Sequence, residues 1–126
     1  MEDVEFSDEF CRFIQAAIPA VDAAELLLLL HDRKESAFTA EEAVAKLGPG
    51  VTLGEVQKHL ERFQEKGLAK RIDRRYQYRP ESELARFVET LAQAYVRRPV
   101  TLIRVIYALR DSKIQTFADA FKIRRS

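Results

Sequence analysis

The sequence predicts a mainly α-helical chain carrying one short two-stranded β hairpin. Three observations predict it. Apolar residues recur at helical spacing through most of the 126 residues. Thr39 with Glu42, and Thr52 with Glu55, have the spacing of a capping box, which marks two helix starts close together. All four prolines fall between the segments defined this way and none inside one.

Taken in order, Phe6, Phe10, Phe13, Ala17 and Ile18 share a helical stripe, with Ser7 as N-cap, and predict a helix over 8–18 that Pro19 ends. Asp22 is the expected cap of the next helix. The five leucines Leu26 to Leu30 leave that helix no polar face, so it is expected to be the central, most buried one. The third helix should run from Ala40 to Leu47 and stop at Gly48, in a left-handed C′ conformation. Pro49, Gly50 and Val51 make the turn. The fourth should run from Leu53 to about Lys66, stopped by Gly67, with Val56, Leu60 and Phe63 docked on the leucine helix. Gly54 in its first turn permits close approach, either of a phosphate or of the helix before it.

Two alternating runs follow, Leu68–Asp73 and Tyr76–Arg79. Leu68 and Ile72 are expected to share an inward face with Tyr76 and Tyr78. The connection Asp73-Arg74-Arg75 lacks the glycine of a preferred tight hairpin, which leaves its turn type open. Leu84, Phe87, Val88, Leu91 and Tyr95 predict a long helix to about Val96. Residues 100–109 suit strand or helix, and Leu102, Val105, Ile106 and Leu109 favour helix. Ile114, Phe117, Ala118 and Phe121 mark a last one.

With 47% apolar and 33% charged residues the chain can bury a core and dissolve. No apolar run approaches a membrane span. The acidic start MEDVEFSDEF argues against a targeting segment, and one cysteine cannot form an internal disulfide, so the expected location is the cytoplasm. Net charge is only +1, but residues 1–65 carry 14 acids and 6 bases, while residues 66–126 carry 6 acids and 15 bases. That asymmetry hints at an electrostatic partner, or at two halves that neutralise each other.

Enzymatic chemistry finds little support. Cys11, His31 and His59 give no zinc constellation, and the sequence holds no P-loop or dinucleotide fingerprint, so neither a metal nor a cofactor is expected. Cys11 reads as a small buried filler, and His31, in a last helical turn, as structural. The adjacent acids Glu41 and Glu42 are explained by capping and the helix dipole.

The segment Lys66–Arg79 is different. It holds Lys66, Lys70, Arg71, Arg74, Arg75 and Arg79 against one acid, Asp73. Helix, turn, helix and basic hairpin over residues 22–80 resemble the winged helix-turn-helix transcriptional regulators of the MarR, PadR and ArsR type. The resemblance implies binding to duplex DNA. With the helix ahead of it the winged-helix domain is expected over 1–80, followed by a helical extension over 81–126 whose apolar stripes, Leu84–Tyr95 and Ile114–Phe121, favour a homodimer over completion of a monomeric core. The second helix of the pair would enter the major groove with Thr52, Glu55, Gln57 and Lys58, Gln57 suiting adenine and Lys58 guanine, while Arg62 reaches a phosphate. Lys70, Arg71, Arg74, Arg75 and Arg79 would meet phosphates or the minor groove. Glu61 and Glu65 lie on the same exposed side and would repel phosphates unless they turn toward Arg62 or Lys66. The rival expectation is a winged-helix interaction module whose basic half grips an acidic protein.

Overall fold

The computed structural model describes residues 6–111. Its elements are α1 (Asp8–Ala17), α2 (Val21–Asp32), β1 (Ala37–Phe38), α3 (Ala40–Leu47), α4 (Leu53–Glu65), β2 (Ala69–Ile72), β3 (Arg75–Tyr78), α5 (Ser82–Arg97) and α6 (Pro99–Asp111). The chain is mainly helical with a small antiparallel sheet. Residues 100–109 are helical, and the expected helix at Ile114–Phe121 lies outside the described residues.

Local chemistry sets most boundaries. Ser7 caps α1 by accepting from the Phe10 N–H at 3.0 Å. Thr39 and Glu42 form a reciprocal box on α3: Thr39 Oγ1 accepts from Glu42 N–H at 3.1 Å, and Glu42 Oε1 accepts from Thr39 N–H at 3.0 Å. At α4 only half of the expected box forms. Thr52 Oγ1 accepts from the Glu55 N–H at 3.2 Å, and Glu55 makes no return bond. Asp22 is not a cap either. Ala20 holds the N-cap position of α2 without a side-chain bond, and Asp22 lies within the first turn. Gly48 has φ +96° but an extended ψ of −172°, so the turn after α3 uses glycine's freedom without a left-handed helical residue. Gly67, at φ +80°, closes α4 and turns the chain into the sheet.

Two features of the sheet differ from expectation. It has three strands in the order β1-β3-β2, because Ala37 and Phe38 pair with Gln77 and Tyr76. A two-residue strand shows no alternation, which is why the sequence did not announce it. The face assignment on β2 also shifts by one residue. Ala69 pairs with Tyr78, Arg71 with Tyr76, and Ile72 with Arg75. Directly opposed residues share a face, so Ala69 and Arg71 accompany the two tyrosines, and Ile72 is 45% exposed. Leu68 is fully buried, but just ahead of the strand. A two-residue connection, Asp73-Arg74, fixes this register. Asp73 takes φ +59°, a conformation that aspartate tolerates better than most residues.

One apolar core runs through every helix and the sheet. Within α2, Leu26, Leu27, Leu28 and Leu30 are buried, matching its expected central position, and α2 packs on α3, α4, α5 and β3. Val56, Leu60 and Phe63 are buried on the α4 face that meets it. The stripe on α5 is spent inside this chain: Val88 and Leu91 are buried, and the Phe87 ring stacks on Phe13 at 5.5 Å. Leu102, Ile106 and Leu109 bury α6 against α1 and α5. No single helix among the described residues is long and apolar enough to cross a membrane.

Candidate functional site

Of the residues singled out on α4 and the hairpin, Gln57, Arg71 and Arg74 are brought together on the wall of one cleft. The whole set of side chains falls into two groups. Five are engaged. Thr52 is the α4 cap. Gln57 Nε2 donates to Glu61 Oε2 at 2.8 Å and to the Tyr76 hydroxyl at 3.3 Å. Arg62 donates to His59 Nδ1 at 2.8 Å. Arg71 donates through Nε to the Asp73 carbonyl at 2.7 Å, with its guanidinium 6.0 Å over the Tyr76 ring. Arg75 donates to Glu42 Oε1 at 2.7 Å and to the Ala37 carbonyl at 3.3 Å. The other four, Lys58, Lys70, Arg74 and Arg79, are exposed and make no side-chain hydrogen bond or ion pair with the described residues.

The glutamates behave differently from expectation. Glu61 turns to Gln57, its neighbour one helical turn back, rather than to Arg62. Arg62 instead turns inward to a buried group that sequence reading missed. His59 is 7% exposed, on the same α4 face as Val56 and Phe63. An arginine N–H can only donate, so His59 Nδ1 is an acceptor and the ring is neutral, with its proton on Nε2. That nitrogen lies 3.3 Å from Asp22 Oδ1 but without hydrogen-bond alignment, since both atoms count as unsatisfied. Burial, more than any charge, pushes the His59 pKa below its ordinary value of 6.5; Asp22 and Glu55 act against this and Arg62 with it. The α4 periodicity marked the buried face, but nothing in sequence spacing pairs residue 59 with residue 22.

Glu42 is drawn down below the usual carboxylate range, first by the Thr39 backbone N–H and then by Arg75. A helix cap and a hairpin arginine therefore share one carboxylate, which ties β3 to the start of α3. Gly54 has no internal justification: a Cβ built there meets nothing within 4 Å, so helix packing does not require glycine. Beside it Leu53 is 45% exposed.

Elsewhere, Cys11 is the expected buried filler, and burial pushes its thiol up to about 11, far from reactivity. His31 sits between Asp32 at 3.0 Å and Glu89 at 2.8 Å, with its ring edge-on to Tyr78, which joins α2, α5 and β3. Among the described residues no cluster of histidine, cysteine, aspartate and glutamate could hold a metal ion.

A polar cleft of about 150 Å³ opens between α3, α4 and the hairpin, lined by Ala40, Glu41, Gln57, Arg71, Arg74 and Tyr76. Compared with family models, curated proteins and solved structures, the chain matches none.

Proposed function

We propose that this chain is a winged-helix protein that binds duplex DNA, with the hairpin as its wing and α4 as the helix turned toward the major groove. One observation carries the reading. The hairpin places Lys70, Arg71 and Arg74 in solvent with Asp73 its only acid, beside an Arg75 already paired with Glu42, on a ribbon that Tyr76 and Tyr78 anchor in the core. Exposed guanidinium and ammonium groups on a fixed ribbon suit phosphate contact, which supplies most sequence-independent affinity. Gln57 reads an adenine only after giving up both of its bonds, so Lys58 is the α4 side chain best prepared to meet a base edge. A two-fold dimer is the assembly this reading favours, and the exposed Val96 and Val100 at the α5–α6 corner support it.

The test is fluorescence anisotropy with mixed-sequence duplex at two salt concentrations. Lys70→Ala with Arg74→Ala should weaken binding about equally for all sequences and flatten the salt dependence, by roughly 0.9 of a slope unit per lost phosphate contact. Absence of duplex binding by the wild type at low salt overturns the reading.

A second reading has its own observation. Glu61 and Glu65 remain on the exposed side of α4, and Leu53 and Ile72 are each 45% exposed beside the basic residues. Apolar anchors among mixed charges suit an acidic protein partner better than a phosphate backbone. That partner takes the place of DNA if the duplex experiment fails.

A further inference from the structure

The cleft between α3, α4 and the hairpin has a donor left over. Gln57 fixes the arrangement. An ionised carboxylate only accepts, so the 2.8 Å contact with Glu61 must be made by the Gln57 amide nitrogen and not by its oxygen. The same nitrogen lies 3.3 Å from the Tyr76 hydroxyl. Both Gln57 N–H groups are thereby used, and Tyr76 is the acceptor of the second. Its own O–H proton has no acceptor among the described residues, although Tyr76 is 1% exposed. Buried donors are nearly always satisfied. This one lines the cleft together with Arg71 and Arg74.

Two more donors belong to the same wall. The Thr39–Glu42 box satisfies the Thr39 and Glu42 N–H groups at the start of α3. The N–H groups of Ala40 and Glu41, the two α3 residues that line the cleft, make no hydrogen bond among the described residues. They carry the positive end of the helix dipole. Arg71 spends one of its five N–H donors on Asp73, and Arg74 spends none. Among the described residues the only carboxylate on the wall is Glu41. Two guanidiniums, a phenol and a helix start thus face one acid, in a cleft of about 150 Å³ that has room for a tetrahedral oxyanion and its nearest waters.

We propose that this cleft is an oxyanion site that receives one phosphate group, with the Tyr76 hydroxyl and the Arg71 and Arg74 guanidiniums as its donors. The inference rests on the duplex reading for the source of that group, a backbone phosphate. A free phosphate or phosphate monoester would present the same chemistry.

The experiment has two arms. In the first, inorganic phosphate is titrated against the full chain at constant ionic strength, and the arginine Nε–H and backbone amide resonances are followed. Saturable shifts at Arg71, Arg74, Ala40 and Glu41 support the site; shifts no larger than those from chloride overturn it. In the second, duplex affinity is compared across variants whose melting is first checked. A hydrogen bond to a charged group is a strong one, so Tyr76→Phe should weaken duplex binding roughly tenfold. Arg74→Gln, at an exposed turn with nothing to unfold, should weaken it more than Arg104→Gln, which removes the same charge from exposed α6. Glu41→Gln should tighten both phosphate and duplex. If duplex binds and none of these variants differs from Arg104→Gln, the site is wrong and the duplex reading stands. If phosphate saturates the cleft and no duplex binds, the site is right and its ligand is a free phosphate compound.

Discussion

The helical side built from α1, α2 and α5 and the side built from α3, α4 and the hairpin are held by different means. In the first, Phe10, Phe13 and Phe87 stack beside four buried leucines of α2, and polar groups such as Glu25 with Tyr95 sit at the edge. In the second, polar side chains do much of the fastening: Arg75 to Glu42 to Thr39, Gln57 to Glu61 and Tyr76, and Gln77 to the Lys34 carbonyl at 2.9 Å. Burial of a leucine contributes about 1.5–3 kcal/mol, whereas one such hydrogen bond contributes about 0.5–1.5 kcal/mol net. The side proposed to meet a partner shares the apolar core through Val56, Leu60 and Phe63, and it adds to that burial a set of weaker, more easily exchanged polar fastenings at its surface.

The largest effect should come from confronting the two kinds of fastening directly. Leu30→Ala, fully buried in α2, should lower stability by about 2–5 kcal/mol. Arg75→Ala breaks a solvent-screened ion pair whose partners are each about half exposed, and should cost far less. Urea unfolding of both variants checks this, and equal losses would erase the distinction between the two sides.

A middle-sized effect is expected where the sides join. His59 is neutral and its pKa is lowered, while the unfolded chain protonates near 6.5. The unfolded state therefore binds more protons as pH falls below that value, and stability declines until the lowered folded value is passed, then levels. His59→Gln should flatten the profile. A melting temperature that instead rises on acidification would mean that His59 is held as an imidazolium by Asp22, and that the seam is an ion pair rather than a buried neutral ring.

The smallest effect sharpens the picture of the exposed side. Gly54→Ala meets no neighbour and lies in a helix, so it should stabilise the fold by about 0.5–1 kcal/mol in thermal unfolding. A loss of stability would show that the glycine serves the fold after all.

How much of this was legible in the sequence follows the same division. The apolar side was readable because a helical stripe states its own period: Phe10 and Phe13, the leucines of α2 and the α5 stripe all lie where spacing put them. Caps were readable where the box is complete, as at Thr39, and half readable at Thr52. What escaped depends on long-range pairing. The Ala37–Phe38 strand exists only because β3 offers an edge, and the exposure of Ile72 follows from a loop length rather than from its hydrophobicity. Around the cleft, Arg71, Arg74, Gln57 and Arg75 were each picked out as basic or polar surface. The commitments of Gln57 to Tyr76 and of Arg75 to Glu42 could be seen only once distant segments were brought together.

The corner between α5 and α6 carries a further consequence. Arg98 alone separates Arg97, the last residue of α5, from Pro99, the first of α6. With no slack in the connection, the rotational phase of α6 is counted from α5. One residue added at this corner would turn the following helix by about 100°, carrying Leu102, Ile106 and Leu109 out of the core and polar Arg104 toward it. The corner therefore admits neither insertion nor deletion without displacing the buried face of α6.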